Sequence, residues 1–367
     1  MKVISIVGAR PQLVKLAPVS AAFADTEHEH LIVHTGQHYD ADLSDVFFDG
    51  LGIPDPDVHL GVGSGSHGAQ TGSVLLALDP VLEREKPDWV LVYGDTNSTI
   101  AGALSAVKMH IPVAHLEAGL RSFNRRMPEE HNRVLTDHCA DLLLAPTEEA
   151  MRHLAAEGLS DRSELAGDVM VDICLRIRDA VLAEGLPAPV LPGGIDPARP
   201  FLLATLHRPD NTDDPGRLAA LLESLASLPV PVALLAHPRL VARAEEHGLE
   251  LDRGSVHVGR PLPYADLVAA VLASSGVVTD SGGLQKEAFL LRRTTTTVRP
   301  ETEWVETVDT GWNVLVPDPH AMDPDAWAGT VTRAAPTADP GTPYGDGHAA
   351  KNVVRIIEGR DAKGRRA

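Results

Sequence analysis

The sequence lacks the signatures of several large protein classes. No stretch approaches the roughly 20 consecutive apolar residues that a membrane-spanning helix needs, and the first residues resemble a β-strand ended by Gly8 more than a signal peptide. Cysteine occurs only twice, at Cys139 and Cys174, without a CxxC pair. This predicts two unpaired apolar side chains in a reducing, cytoplasmic compartment. The first strand runs into Gly8-Ala9-Arg10-Pro11-Gln12 and not into the dinucleotide fingerprint GxGxxG, so no nicotinamide cofactor is expected.

Positive charge is also scarce, because 32 Lys and Arg face 51 Asp and Glu, for a formal net charge of -19. Such a surface repels nucleic acid and anionic membranes, and neither is expected as a partner. An anionic small substrate remains compatible if basic side chains and helix N-termini cluster locally. The 17 histidines raise the question of a metal, but no HExxH or Cys/His pairing is present. No metal site is therefore predicted.

The length and the periodicity predict an α/β protein with two domains. The 367 residues exceed one typical core, and the apolar fraction of 44% is ordinary for a globular chain. Short continuous apolar strands alternate with helices, which indicates parallel sheets covered on both faces. Strands are predicted at 3–7, 31–34, 87–93, 111–115, 201–205, 230–235, 256–258 and 277–279. The boundary between the domains is expected near Gly167 and Asp168, and a final helix at 346–358.

Ligands of open α/β sheets bind outside the carboxyl ends of the strands, so the loops that follow the strands are the candidate sites. After the first strand, Arg10 and Lys15 lie at the start of a helix, where they can converge on an anion. An ordinary capped turn with a surface arginine is the alternative.

Three acidic groups follow strands of the first half or begin its helices. Asp95 follows the strand at 87–93, either as a functional carboxylate or as the N-cap of the next helix. Glu117 follows the next strand, where an acid is unusual. Glu129 and Glu130 begin a helix after a proline, which is also ordinary helix-start chemistry. Because all of them lie at one sheet edge, they suit a general acid and base pair.

The second half carries a sharper pattern. A strand runs into Asp280, Ser281, Gly282 and Gly283, and a helix leaves this turn. Backbone N–H groups at such a helix start can hold a diphosphate, and glycine allows its close approach. Glu287, one turn into the helix, can accept hydrogen bonds from ribose hydroxyls. The alternative is plain turn chemistry. His207, at the end of another strand, is as compatible with a structural role as with a functional one.

Together these segments resemble the non-hydrolysing UDP-N-acetylglucosamine 2-epimerase family over nearly the whole chain. Each motif alone is weak, but their common order and spacing are specific. They are GARPQ at 8–12, HTGQH at 34–38, GDT at 94–96, HLEAGLR at 115–121, PEEHNR at 128–133, DSGGLQKE at 280–287 and YGDG at 344–347.

The resemblance implies a GT-B arrangement, in which two Rossmann-like domains enclose the active site in their cleft. It implies domains at residues 1–167 and 168–345, with a C-terminal helix at 346–360 that returns to the first domain. It also implies a homodimer that requires neither a nicotinamide nor a metal. Matching motif by motif, the implied catalytic residues are Asp95, Glu117, Glu129 and His207. The implied substrate and UDP contacts are Arg10, Lys15, Arg133, Ser281, Gly282, Gly283 and Glu287.

The implied reaction is reversible C2 epimerisation of UDP-N-acetylglucosamine to UDP-N-acetylmannosamine. The C2 proton has no adjacent carbonyl and is not acidic. In the family, UDP leaves C1 while a base removes this proton, and UDP adds back to the 2-acetamidoglucal after protonation of the opposite face. This route needs carboxylates and no redox cofactor.

Three departures from the family pattern bear on the substrate and on regulation. Trp304 stands where many members have an active-site arginine, and its surroundings resemble members that act on UDP-2,3-diacetamido-glucuronate. Gln12 stands where many members have glutamate. Tyr39 and Asp40 follow HTGQH, whereas bacterial members activated by a second UDP-N-acetylglucosamine typically have an arginine there. Allosteric activation is therefore not expected.

Three alternatives remain open. The first is a 2-epimerase of a modified UDP-amino sugar, such as UDP-2,3-diacetamido-glucuronate. The second is a GT-B glycosyltransferase with a UDP-sugar donor, which would share the Ser-Gly-Gly turn but would need an acceptor. The third is a UDP-sugar-binding module without turnover.

Overall fold

The computed structural model describes residues 1–37, 53–183 and 189–360. The chain divides into two compact units. The first unit combines Met1–Ile173 with Thr342–Ala367, and the second consists of Cys174–Gly341. Each unit is built on its own sheet.

The first unit contains a seven-stranded parallel sheet in the order β3-β2-β1-β4-β5-β6-β7. Its central strands are short and buried along their whole length, which explains their continuous apolar sequences. The strands are β1 (Lys2–Val7), β2 (Glu29–His34), β3 (Val58–His59), β4 (Trp89–Tyr93), β5 (Val113–Leu116), β6 (Leu142–Ala145) and β7 (Ser163–Leu165).

Helices follow most of these strands and cover the sheet. They are α1 (Arg10–Ala24), α2 (His67–Glu85), α3 (Asn97–Lys108), α4 (Pro128–Cys139), α5 (Glu148–Ala156) and α6 (Val169–Ala183), which leads into the second unit.

The second unit contains a six-stranded parallel sheet in the order β10-β9-β8-β11-β12-β13. Its strands are β8 (Leu202–Thr205), β9 (Val232–Leu235), β10 (Val256–Gly259), β11 (Gly276–Thr279), β12 (Thr295–Thr297) and β13 (Asn313–Leu315). Its helices are α7 (Pro209–Thr212), α8 (Pro215–Ala226), α9 (Pro238–His247), α10 (Tyr264–Ala273), α11 (Gly282–Leu290), α12 (Val305–Asp309) and α13 (Pro324–Val331).

Alternate strand residues of the second unit enter different cores. Leu202 and Ala204 of β8 belong to one buried cluster, and Leu203 between them belongs to another. This follows from the period of two of a β-strand, which directs successive side chains to opposite faces. A strand of this kind must be apolar throughout, as the sequence predicts.

The predicted fold class, two parallel-sheet α/β domains, is confirmed. Most predicted strands and helices agree with the structure within two or three residues at each end. One local alternative is wrong: Asp95 is not the N-cap of α3. That position is taken by Thr96, whose side chain accepts a hydrogen bond from the Thr99 amide. The Asp95 side chain is thus not engaged as the cap of α3.

The last helix of the chain, α14 (Ala349–Glu358), belongs to the first unit. It begins three residues later than predicted, after two glycines with positive φ, Gly345 and Gly347. Its buried face, with Val353, Val354 and Ile357, packs on α1.

An acid from the segment that leaves the first unit caps this helix. The two carboxylate oxygens of Asp172 accept hydrogen bonds from the backbone amides of Ala349 (3.0 Å) and Ala350 (2.7 Å). Nearby, the Asp168 amide donates to the Tyr344 carbonyl at 3.1 Å. The outgoing and the returning segments of the chain are therefore bonded to each other inside the first unit.

Within the described ranges, none of the helices combines the length and the apolar composition needed to cross a bilayer.

Two histidines of β2 make the stability of the first unit sensitive to acid. The Nε2 atom of His30 is 2.8 Å from the Ser5 hydroxyl oxygen, and the His30 ring stacks on Phe23. Burial lowers the pKa of His30 to about 4, and burial together with His59 does the same for His34. Between pH 6.5 and 4 the unfolded chain binds these protons and the folded chain does not. The free energy of unfolding must therefore decrease as the pH falls through this window.

We predict that His30→Gln reduces this pH dependence. The expected reduction is about 1.4 kcal/mol per pH unit inside the window, the value for one proton. Urea unfolding of both proteins at several pH values between 4 and 7.5 measures it. His320→Gln, a change at an exposed histidine, is the control and should leave the pH dependence as it is. An unchanged slope in His30→Gln would contradict the assignment.

Candidate active site

Gln12 joins the loops after β1 and β4. Its side-chain oxygen accepts hydrogen bonds from the amides of Gly8 (2.8 Å) and Ala9 (3.0 Å). Its side-chain nitrogen donates to the Tyr93 carbonyl at 2.8 Å and to the Thr99 hydroxyl at 3.1 Å. A carboxylate cannot make the donor half of this arrangement. The structure thus gives the glutamine, where many family members have glutamate, a definite use.

Lys15 pairs with Glu117. The Nζ atom of Lys15 contacts Glu117 Oε2, and both side chains are largely buried. Burial lowers the pKa of Lys15, but the carboxylates of Glu117 and Asp95 outweigh it and raise that pKa above its usual value. Lys15 is therefore charged and lies within electrostatic reach of both acids.

Arg133 pairs with Asp95 in the same region. One guanidinium nitrogen contacts Asp95 Oδ2, and the other lies 2.8 Å from Glu130 Oε2. The side-chain nitrogen of Asn132 donates to the Asp95 backbone carbonyl at 2.9 Å. Helix α4 thus holds Asp95 through both its side chain and its backbone.

The two glutamates at the start of α4 have different environments. Glu130 is buried and accepts hydrogen bonds from the Ser122 amide (2.9 Å) and hydroxyl (2.8 Å) and from the Phe123 amide (3.0 Å). Burial raises its pKa, but these bonds and Arg133 lower it overall. In the part of the chain that the structure describes, the Glu129 carboxylate has no ion pair or hydrogen bond. The Glu130 carboxylate is thus bound to the segment at 122–123 and to Arg133, whereas the Glu129 carboxylate is available to contact a substrate.

Asp95 and Glu129 line a common pocket of about 380 Å³ in the first unit. Its wall combines apolar residues such as Pro11 and Pro128 with the polar side chains of Asn97, Asn132 and His67. The structure therefore brings Asp95, Glu117, Glu129, Lys15 and Arg133 to one sheet edge, with Glu117 outside the pocket lining and on Lys15.

The loops that carry the acids depend on left-handed backbone conformations. Gly94, directly before Asp95, has φ 59°, and Gly119, two residues after Glu117, has φ 83°. Glu117 itself has φ 72°, a conformation that costs a side-chain-bearing residue about 1–3 kcal/mol. A residue with a side chain held in this way points to a loop shaped for the position of the Glu117 carboxylate.

In the second unit, Asp280 organises His207. The Asp280 carboxylate lies 3.0 Å from His207 Nδ1 and accepts hydrogen bonds from the backbone amides of His207 and Arg208. It also accepts one from the Asn211 side chain at 3.0 Å. Burial raises the pKa of Asp280, but His207 and Asn211 lower it overall, so the carboxylate accepts a hydrogen bond from Nδ1 of His207. The Nε2 atom of His207 is the nitrogen left for other partners.

Ser281 and Gly282 form the predicted turn. Ser281 is the N-cap of α11, and Gly282 is the first residue of that helix. A Cβ on Gly282 would lie 3.4 Å from Trp304 Nε1, 3.8 Å from Glu303 Oε2 and 4.0 Å from an Arg208 nitrogen. Gly282 thus lies among the side chains of Trp304, Glu303 and Arg208, whereas a Cβ on the exposed Gly283 would meet only Ser281 Oγ, at 4.0 Å.

Trp304 and its neighbours form an aromatic and charged group beside this turn. Lys286 Nζ lies 4.2 Å from the centre of the Trp304 ring, in cation–π geometry. Glu303 is held by both guanidinium nitrogens of Arg299, at 2.9 and 3.0 Å. Of these residues, Trp304 is the one at which the sequence departs from the family pattern.

The remaining predicted positions are less informative. Glu287 is buried beside Tyr264, whose pKa is raised by burial and by Glu287. Arg10 begins α1, but its side chain is outside the described part of the structure, as are Tyr39 and Asp40. Among the described residues, no group of three or more His, Cys, Asp or Glu side chains is arranged to hold a metal ion.

Comparison with known proteins identifies the family. A model of the family described as UDP-N-acetylglucosamine 2-epimerase matches residues 21–358. The chain belongs to this family. A Pseudomonas aeruginosa relative, UDP-2,3-diacetamido-2,3-dideoxy-D-glucuronate 2-epimerase, is 44% identical over 97% of this chain and 99% of its own. UDP-N-acetylglucosamine 2-epimerase of Methanocaldococcus jannaschii is 38% identical over 97% and 99%.

Solved structures of the family agree with the fold. The Methanocaldococcus jannaschii UDP-GlcNAc 2-epimerase in complex with UDP-GlcNAc and UDP has a TM-score of 0.83, with 35% identity over 98% of this chain and 99% of that one. The fold predicted from the resemblance, GT-B-like with two parallel-sheet domains, is therefore confirmed, and the protein is an isomerase of this family.

Sequence reasoning missed Asp280 and Gln12 as organising residues. Asp280 was visible as the acid before the Ser-Gly-Gly turn, but its contact with His207 joins residues 73 positions apart. Gln12 was noted only as a departure. The sequence signal that could identify such residues is a polar side chain in a buried turn whose hydrogen-bond donors and acceptors find no partners nearby in the sequence.

The backbone of the Glu117 loop gives a direct test. We predict that Gly119→Ala lowers the free energy of unfolding by about 2 kcal/mol or more, because φ is left-handed and the new Cβ would lie 2.5 Å from the Ala150 carbonyl oxygen. The control is Gly72→Ala inside α2, where a Cβ meets nothing within 4 Å. That change should be neutral or stabilise by up to about 1 kcal/mol. Urea unfolding compares them, and equal effects would contradict the argument.

Proposed function

We propose that this protein inverts C2 of a UDP-linked N-acetylhexosamine, with UDP-N-acetylglucosamine and UDP-N-acetylmannosamine as its substrate pair. The observation that carries the proposal is the group of three acids at one sheet edge, two of them paired with Lys15 and Arg133, in a chain of the 2-epimerase family. The second unit supplies the Ser281 and Gly282 turn for the diphosphate.

The chemistry balances without a redox step. A base takes the C2 proton, the C2–H electrons form the C1–C2 double bond, and the C1–O bond breaks as UDP departs. The resulting 2-acetamidoglucal then accepts a proton on the opposite face of C2, and UDP oxygen re-forms the bond to C1. Two proton transfers on opposite faces need at least two groups.

The unequal environments of the acids support a division of roles. Lys15 contacts Glu117 and Arg133 contacts Asp95, which suits roles for these two acids beside a developing positive charge at C1. Glu129, without such a cation, is the acid that can most readily exchange a proton with the sugar. His207, with Nδ1 bound to Asp280, can offer Nε2 to the leaving UDP.

A second substrate is favoured by specific observations. The Pseudomonas aeruginosa relative named for UDP-2,3-diacetamido-glucuronate is 44% identical over the full length, and Trp304 replaces an arginine found in many family members. UDP-2,3-diacetamido-2,3-dideoxy-D-glucuronate is therefore the alternative substrate. Incubating each UDP-sugar separately in deuterated water and following C2 by NMR decides between them.

The first prediction from this proposal concerns the acids. Asp95→Asn, Glu117→Gln and Glu129→Gln should each lower turnover by roughly 10²–10⁴-fold, the range for a lost general acid or base. In wild-type protein, solvent deuterium should enter C2, and long incubation should release UDP and 2-acetamidoglucal. UDP should still raise the melting temperature of the three variants.

Two matched variants control this experiment. Glu148→Gln changes an exposed glutamate in the first turn of α5 and should keep full turnover. Gly282→Val should differ from the three acid variants, because UDP should no longer raise its melting temperature. The new side chain would fill the space beside Trp304. Product without deuterium at C2 would refute the mechanism. An incubation that needs a sugar acceptor would indicate a glycosyltransferase, and UDP binding without turnover a binding module.

We also propose a cytoplasmic homodimer. Both cysteines are free thiols, in keeping with a reducing compartment. Leu76 of α2 and Leu135 of α4 are 80% and 57% exposed on helices that both pack against α3. Exposed apolar side chains on neighbouring helices suit an interface between two copies.

We predict that the double change Leu76→Glu and Leu135→Glu converts a dimer into a monomer. Two buried charges in the interface would be left without partners. Light scattering after size-exclusion chromatography measures the mass. Val190→Glu, at an 89% exposed position of the second unit, is the control. A double variant that stays dimeric would exclude this face as the interface.

A further inference from the structure

His115 is a fully buried histidine that the reaction does not use directly. It lies in β5, two residues before Glu117, and its side chain has no exposed surface. One ring nitrogen, Nε2, is 2.7 Å from the backbone carbonyl oxygen of Gly94. The other, Nδ1, is 2.6 Å from Asp137 Oδ1. The ring therefore bridges the loop that carries Asp95 and helix α4.

The hydrogen-bond partners define the protons on this ring. A carbonyl oxygen only accepts, so Nε2 must carry a hydrogen toward Gly94. Asp137 Oδ2 accepts a hydrogen bond from the Gly119 amide at 3.1 Å and pairs with an Arg121 nitrogen at 2.7 Å. Burial raises the pKa of Asp137, but His115 and Arg121 lower it below its ordinary value. An ionised Asp137 also only accepts, so Nδ1 must carry a hydrogen as well.

A neutral ring would leave one of these contacts with two facing acceptors. In a site closed to water, an unsatisfied polar group costs about 1–3 kcal/mol, and two opposed lone pairs add to it. The charge of the ring is balanced, because Asp137 and Glu157 alternate with His115 and Arg121 in one chain of ion pairs. The surroundings thus offer an acceptor to each of the two ring nitrogens.

This bridge connects the two loops that matter most for the proposed reaction. Gly94 precedes Asp95, and Gly119 follows Glu117 by two residues. Both glycines have positive φ, and so does Glu117. Gly94 is bound by His115, and Gly119 is bound by Asp137, the partner of His115. His115 is therefore linked to both loops, to one directly and to the other through Asp137.

We propose that His115 is a positioning residue, a doubly protonated imidazolium that, with Asp137, fixes the loops of Asp95 and Glu117 relative to each other. The effect on catalysis rests on the proposed function, whereas the state of the ring does not. His115 is too deeply buried to touch substrate and acts through the carbonyl of Gly94 and the carboxylate of Asp137.

The state of the ring is tested without any substrate. Protein labelled with ¹⁵N-histidine is observed by NMR at pH 7.5, and the His115 signals are assigned by their loss in the His115 variants. Two protonated ring nitrogens, each with a slowly exchanging hydrogen, are expected. An unprotonated nitrogen on His115 would overturn the proposal, whatever the enzyme does.

Two variants test the positioning role. An asparagine amide reaches about as far as Nδ1 and a glutamine amide about as far as Nε2, so His115→Asn keeps the donor to Asp137 and His115→Gln keeps the donor to Gly94. We expect each to lower kcat by roughly 10- to 100-fold, the loss that a small misplacement of catalytic groups causes. The UDP concentration needed for thermal protection should stay within about twofold of the wild-type value. The amount of free UDP released per turnover should rise, because UDP fails to add back to the 2-acetamidoglucal.

The outcomes separate the two proposals. The control is His30→Gln, which changes a largely buried histidine on the same sheet without a bond to either loop and should keep kcat. Full kcat in both His115 variants would refute the positioning role. If wild-type protein turns over no UDP-sugar, the proposed function fails. The NMR result still decides whether both ring nitrogens of His115 are protonated. If the variants do not fold, as circular dichroism would show, the NMR measurement on wild-type protein, assigned by sequence-specific methods, remains the test.

Discussion

The buried contact between His115 and Asp137 is the constraint on which the arrangement of the first unit depends. Parallel strands bring their carboxyl ends to one edge, but the loops beyond β4 and β5 then run through left-handed turns that have little stability of their own. The Gly94 carbonyl and the Gly119 amide are bonded to this pair. With those loops fixed, Lys15 can meet Glu117, and Arg133 can meet Asp95.

Much of this arrangement follows from the sequence, for a simple reason. Short, continuously apolar strands indicate a parallel sheet, and a parallel sheet places the residues after its strands at one edge. Asp95 and Glu117 were therefore expected near each other, as were His207 and the turn at Ser281. Local preference also agrees with the start of α8, where Asp214, of a residue type favoured at N-caps, accepts a hydrogen bond from the Arg217 amide.

The parts that could not be predicted depend on contacts between distant residues. Glu129 and Glu130 are adjacent acids in one helical turn, and only the path of residues 122–123 shows that Glu130 is occupied. Thr96, not Asp95, caps α3, because a one-residue difference in the turn decides which side chain reaches the Thr99 amide. Likewise, the partners of Gln12 and Asp280 come from other strands.

The bonds from Asp172 to the start of α14 have a consequence for how this chain can change. The second unit is one continuous segment, Cys174–Gly341, inserted between two parts of the first. Its point of departure and its point of return are held together by Asp172 with Ala349 and by Asp168 with Tyr344. An insertion whose two attachment points are already joined can be lengthened, shortened or exchanged for a homologous segment without breaking the host sheet. Recombination at these two points would therefore combine first units and second units of different relatives as intact modules.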